Sequence, residues 1–268
     1  MRREADKVTQ RLEAIARLSA QSGSPKPHTA KERGRNWWTR AVDAVLVAVR
    51  HYAPLLHRLG SAALAICLCI YAHLCALTIR LTTSGVIHWP HLPSGCVLAI
   101  WHGCAPSLIV AIVAQRPRTP LAILITSDPR GDSLSLLCRM LDLRVVRVTA
   151  EGGWAALSKL ASEIEQGACA IITADGLGPA RVAKVGAVAL SSATAVPILT
   201  AGADCHPAIP MPHKWDAARI PLPLGRVRMA FSEARHCPDF TDSTSIENAR
   251  LWLEQALNEA AAMATRAF

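Results

Sequence analysis

The stretch Val97-Leu98-Ala99-Ile100-Trp101-His102-Gly103-Cys104-Ala105-Pro106-Ser107 decides how the chain is read. Val97 to Ile100 has the length and β-branched apolar content of a buried strand. The run stops at Trp101-His102-Gly103, where glycine permits a sharp turn, and Pro106 suits the first turn of a helix. In open α/β sheets, ligands bind in the crevice beyond the carboxyl ends of strands. A histidine at such a strand end is suited to general-base work, because its ordinary pKa lies near working pH. A lone histidine there is also commonly a core residue bonded to a backbone carbonyl. The downstream sequence weighs between the two.

Working outward, strands are expected over Leu77–Thr82, Val97–Ile100, Leu121–Ile125, Arg144–Val148, Cys169–Thr173, Pro197–Ala201 and Arg226–Phe231. Helical patterns fall between them, near 105–115, 132–142, 153–166 and 184–195, and a closing helix is expected over Asn248–Ala267. This alternation predicts a three-layer α/β domain with a largely parallel sheet, preceded by amphipathic and apolar N-terminal helices. The expected organisation is a basic helix and flexible linker over 1–36, membrane-associated helices over 37–81, and the α/β domain over 82–268.

Charge divides the chain in the same way. The formal net charge is +9, and residues 1–58 hold twelve Lys/Arg against five Asp/Glu. A basic arm on a near-neutral domain points to an anionic surface as partner. Residues 1–19 have helical spacing and a basic face, and 21–35 read as a linker rich in Pro, Gly and basic residues. Trp37-Trp38 opens a helical stretch to about Leu59, which suits a membrane interface or an ordinary amphipathic helix docked on the domain. Ser61–Ile79 carries no formal charge and just reaches the length of a bilayer span. Its Ser, His, Cys and Ala content makes it a weak span. Crossing would also put residues 81–268 opposite the basic N-terminus. A helix lying in one leaflet, or half-buried on the domain, is the expectation. The 9 cysteines lie mostly in apolar runs and read as small buried hydrophobes in a reducing compartment. Cys205, His206 and His213 match no known metal-site spacing, and no metal is expected.

A second strand, Cys169–Thr173, runs into Ala174-Asp175-Gly176-Leu177-Gly178-Pro179-Ala180-Arg181, with Lys184 and Gly186 opening a helix. A tight glycine-bearing loop, two cations and a helix N-terminus suit a phosphate or another anionic head group.

Three blocks together resemble the lysophospholipid acyltransferase superfamily, with its DUF374 branch as the nearest pattern. They are Ile100-Trp101-His102-Gly103, the segment from Asp175-Gly176 through Arg181 and Lys184 to Gly186, and Val196-Pro197-Ile198. Gly131-Asp132, Leu143 to Arg147, Gly152-Gly153, Lys214-Trp215-Asp216, Ile220 to Pro223 and Ser232-Glu233 follow in the order of that branch. The resemblance covers about residues 77–235. It implies a glycerolipid acyltransferase-like fold. It also implies transfer of a fatty acyl group from an acyl-carrier protein or coenzyme A thioester to a lipid hydroxyl. His102 and Asp175 would be the catalytic residues, His102 as the base and Asp175 beside the acceptor head group. Trp101, Gly176, Gly178, Arg181 and Lys184 would bind substrate, and Pro197 would be structural.

Two departures stand out. The superfamily places an aspartate five positions after the histidine to orient the imidazole, and here that position is Ser107. Asp128, Asp132, Asp175 or a backbone carbonyl are the candidates to replace it. The Asp-Gly-Leu-Gly-Pro segment is one residue shorter than the branch's pattern and lacks its arginine. The resemblance implies no resident cofactor, an anionic membrane lipid as partner and no nucleic acid. It implies a location on the cytoplasmic face of the inner (plasma) membrane. The acceptor would be a glycerophospholipid precursor or a lipid A-type glycolipid. The competing reading is a non-catalytic lipid-binding or scaffold protein on the same fold. Gly131-Asp132-Ser133-Leu134 also spells the string of a serine esterase family, but the late Asp-x-x-His that family needs is missing.

Overall fold

In the computed structural model, strand β2 (Cys96–Ile100) lies inside an eight-stranded sheet. The structure describes residues 2–21, 37–85, 89, 91–149, 152–211 and 216–266. The other strands are β1 (Arg80–Gly85), β3 (Leu121–Thr126), β4 (Arg144–Val148), β5 (Cys169–Thr173), β6 (Pro197–Pro210), β7 (Arg219–Phe231) and β8 (Arg235–His236). Their order is β1-β7-β6-β2-β5-β3-β4, with β8 on β6. From β6 through β4 every pairing is parallel, while β7 returns antiparallel to β6 and β1 runs parallel to β7. The α/β class with a largely parallel sheet is thus the observed one.

Eight helices surround the sheet among the described residues: α1 (Arg2–Gln21), α2 (Trp37–Tyr52), α3 (Pro54–Thr78), α4 (Ala105–Ala114), α5 (Pro129–Met140), α6 (Gly153–Glu165), α7 (Gly186–Thr194) and α8 (Ser243–Thr265). The strand period of two divides β2 between two cores. Val97 and Ala99 face α1, α6, α7 and α8, where Leu12, Leu160, Leu190 and Leu253 are buried. Leu98 and Ile100 face α3, α4 and α5, where Ala65, Leu108 and Leu137 are buried. Three layers result.

Several expected boundaries move. The strand expected over Leu77–Thr82 begins instead at Arg80, because α3 runs on to Thr78. The helix expected from Trp37 to about Leu59 breaks at Ala53, since Pro54 cannot donate an amide hydrogen and starts a new helix. The strands expected to end at Ala201 and to begin at Arg226 extend to Pro210 and back to Arg219, forming one long hairpin. The linker over 22–35 and the Lys214-Trp215 pair lie outside the described residues.

Residues Ser61, Ala65, Cys69, Ala72 and Cys75 form the buried side of α3. This helix is long and apolar enough to cross a membrane, yet it packs along α4, α5 and β7. Leu55, Leu59, Ile66, Ile70, Leu74 and Leu77 remain exposed on it. Its N-terminal half is fastened to α5 by polar contacts. His57 Nε2 donates to Asp132 Oδ2 at 2.9 Å, and Arg147 Nη2 donates to Asp132 Oδ1 at 2.7 Å. Arg50 Nε on α2 lies 3.4 Å from the same carboxylate. Gly131 is needed beside it, since a Cβ there would stand 1.9 Å from the Thr126 carbonyl oxygen.

Candidate active site

Neighbouring strands bring the two sequence blocks together. β2 and β5 pair in register, with Ile100 opposite Thr173, and the Ala174 N–H donates to the Ile100 carbonyl at 2.8 Å. The 3-10 turn His102–Cys104 after β2 therefore stands beside the 174–185 loop after β5. His102 and Asp175 meet across 73 positions: the His102 backbone N–H donates to Asp175 Oδ1 at 2.8 Å. Asp175 Oδ2 accepts the Arg181 N–H at 3.3 Å. Asp175 is 1% exposed. Burial pushes its carboxyl above the ordinary carboxylate range, against the pull of the His102 and Arg181 backbone N–H groups. Its carboxylate holds the backbone of the turn and the loop rather than the imidazole.

The imidazole is held from elsewhere. His102 Nδ1 lies 2.6 Å from Asp216 Oδ2, in the turn that leads into β7. The imidazole side chain is 39% exposed and the Asp216 side chain 1%. Asp216 Oδ1 accepts the Ala218 N–H at 3.3 Å. An ionised carboxylate only accepts, so Nδ1 carries the hydrogen, and in the neutral ring the lone pair is then on Nε2. Gly103 allows this approach: a Cβ there would stand 2.5 Å from the Asp216 carbonyl oxygen.

The carboxylates named from sequence are engaged with other groups. Asp128 caps α5 by accepting the Gly131 N–H at 2.7 Å, and Asp132 is bound to His57 and Arg147. Ser107 is buried in α4, where its side chain meets Cys205. Asp216 stood in the sequence as the end of a short motif. Its meeting with His102 depends on the β6–β7 hairpin folding back, which no local pattern announces.

Loop geometry explains the glycines. Gly176 and Gly178 adopt φ of +54° and +93°, a region that favours glycine. The Gly178 N–H donates to the Asp175 carbonyl at 2.8 Å, and the Lys184 N–H closes the neck by donating to the Ala174 carbonyl at 2.7 Å. Arg181 is exposed on this loop and Lys184 is half-buried. Burial and the nearby Arg250 push the Lys184 ammonium below its ordinary value, with Asp175 opposing. Arg219 on β7 pairs with Asp204 on β6, its Nη1 donating to Oδ1 at 2.6 Å.

Trp101, expected to bind substrate, is 2% exposed and packs in the core on the α7 side of the sheet. Its alternation with Ile100 along the strand dictates that placement. Cys104 is no candidate nucleophile. Burial pushes its thiol up to about 11, against the Ala203 carbonyl contact and the Arg181 charge. Ser133 lies buried in α5, next to Asp132, whose carboxylate is taken by His57 and Arg147.

No family model matches the chain, and no curated protein does. Among solved structures, it is similar to the 1-acyl-sn-glycerophosphate (LPA) acyltransferase PlsC from Thermotoga maritima, at 16% identity and a TM-score of 0.47, over 75% of this chain and 80% of that one.

Proposed function

We propose that the chain is a membrane-associated acyltransferase with His102 as general base. The observation that carries this reading is the partly exposed imidazole, its Nδ1 bonded to the buried Asp216 carboxylate at 2.6 Å. Nε2 takes the proton from an acceptor hydroxyl as that oxygen attacks the carbonyl of an acyl thioester. The new C–O bond forms as the C–S bond breaks, and the proton passes to the departing thiolate. Asp216 stabilises the imidazolium between these steps. A thioester is already activated, so no protein nucleophile and no resident cofactor are required. The raised thiol of Cys104 fits that direct transfer.

Arg181, Lys184 and the glycine loop favour an acceptor with an anionic head group. The sequence resemblance narrows it to a glycerophospholipid precursor or a lipid A-type glycolipid, with acyl-carrier protein or coenzyme A as the donor's carrier. The exposed apolar side of α3 and the basic N-terminal residues would hold the enzyme on the cytoplasmic face of the inner membrane. The buried side of α3 is committed to the domain, which favours a helix lying in one leaflet over one that crosses.

Mass spectrometry of total lipids and lipid A tests this, in cells with the gene, without it, and with His102→Ala. A lipid class that loses one acyl chain in both the deletion and His102→Ala cells is the expected result. Identical profiles in all three overturn the reading in favour of a non-catalytic lipid-binding protein.

A further inference from the structure

We infer that Arg250 and Glu254 on α8 are positioning residues that hold the 174–185 loop, and with it Arg181 and Lys184, in the conformation that receives the acceptor's anionic head group. This rests on the proposed acyl transfer. The loop has two fastenings. At one end Asp175 ties the Arg181 backbone to His102. At the other, α8 grips Ala183 from both sides. The Ala183 N–H donates to Glu254 Oε2 at 2.9 Å, and the Ala183 carbonyl accepts from Arg250 Nη1 at 3.2 Å.

The rest of the guanidinium is also engaged. Nη1 donates to Glu254 at 2.8 Å and Nη2 to Glu247 at 2.7 Å, while Nε donates to both Glu247 oxygens at 3.0 and 2.9 Å. Arg250 is 5% exposed. Pairs spaced three and four along an exposed helix contribute little. A buried arginine whose donors are shared between two carboxylates and a loop carbonyl is a different construction. It spends its planar fork on one peptide of a loop 67 positions away.

The platform beneath it is fixed to the strands that carry His102. Thr200 Oγ1 on β6 donates to the Ala256 carbonyl of α8 at 3.3 Å. A Cβ on Gly202 would stand 2.2 Å from the Ala260 carbonyl oxygen, so the α8 backbone lies directly on β6. β6 pairs with β2. The loop cations are thus referenced to the imidazole twice, through Asp175 and through α8, β6 and β2.

The test uses the full chain with Glu254→Ala, Glu254→Gln and Arg250→Lys. Amide hydrogen exchange is read over 176–184, and acyl transfer is read from palmitoyl-CoA and palmitoyl-carrier protein to lysophosphatidate. In Glu254→Ala the loop amides should exchange about tenfold faster, as losing one charge-assisted bond implies, with α8 and β6 unchanged. The acceptor KM should rise about tenfold by the same argument, with kcat and donor KM kept. Glu254→Gln, whose amide oxygen still accepts from Ala183, should restore both. Arg250→Lys, whose single ammonium cannot serve two carboxylates and the Ala183 carbonyl together, should loosen the loop as Glu254→Ala does. An Arg250→Lys loop as protected as wild type overturns the role of Arg250. Loop exchange unchanged in Glu254→Ala, loss of protection spread over the whole domain, or a loosened loop with an unchanged acceptor KM each overturns the inference. If the wild type does not acylate lysophosphatidate, the glycerophospholipid acceptor falls, and the exchange result alone decides whether Arg250 and Glu254 hold the loop.

Discussion

His102 Nδ1 and Asp216 Oδ2 stand 2.6 Å apart although 114 positions separate the two residues. A carboxylate on the next turn of the same helix would need only local structure; this one needs the β6–β7 hairpin in place. Asp216→Asn keeps the shape of the turn but offers an amide where the ring expects an acceptor alone, which disturbs the tautomer. Acyl transfer should drop about 10²–10⁴-fold with near-normal thermal stability. Steady-state kinetics of the purified variant check this, and wild-type turnover would remove Asp216 from the mechanism.

Gly103→Ala reaches the same pair through the backbone. The added Cβ meets the Asp216 carbonyl oxygen at 2.5 Å, so the turn must move away from the ring. Transfer should fall about 10²-fold, in line with an ångström-scale misplacement. Gly60→Ala on α3, where nothing lies within 4 Å of the new Cβ, is the contrast. It should keep activity and add about 0.5–1 kcal/mol by helix propensity. Equal activity in the two variants would show that the turn tolerates displacement.

Asp132 gives a pH signature. Burial pushes its carboxyl up, but the His57 hydrogen bond and the Arg50 and Arg147 charges outweigh that and hold it below the ordinary 3.8. A depressed carboxylate contributes stability that is complete above its ordinary value and is lost as pH falls through the folded one. Asp132→Asn should therefore cost about 2 kcal/mol at neutral pH, and the gap should close below 3.8. Urea unfolding across that range measures it; a gap independent of pH would deny the carboxylate its role.

Ser133→Ala should leave acyl transfer unchanged. The serine sits buried in α5, with its neighbour Asp132 bound to His57 and Arg147. Any large loss of turnover, in an assay of transfer or of ester hydrolysis, would reopen the esterase reading.

The exposed side of α3 gives a membrane prediction. Replacing Ile66, Ile70 and Leu74 by Asp should release the protein from vesicles containing anionic lipid in a flotation assay. The helix should keep its docking through Ala65, Cys69 and Ala72. Undiminished flotation would place the attachment elsewhere.

The sheet was legible because β2 and β5 are short apolar runs cut off by turn residues, and adjacent strands of that kind bring their following loops together. The strand-end positions of His102 and Asp175 could be read from that. The role given to Asp175 came from the family resemblance, and the meeting of the two needed β5 to lie beside β2. Trp101 was misplaced because a strand-end residue takes its face from the strand's alternation, and one position shifts it from crevice to core. Asp216 and Glu254 escaped for a different reason. Each reaches the site by a long-range return of the chain, and the sequence around them records a turn and a helix face but not what they meet.

Helix α1 buries Leu12 and Ile15 against α6, α7 and α8. During synthesis it cannot complete that packing until Ser243–Thr265 have left the ribosome. At ~5–20 residues per second the wait is on the order of tens of seconds. Through that interval its apolar stripe is open to whatever surface is nearest. The helix that completes one face of the fold is thus the segment with the longest exposure to chaperone capture.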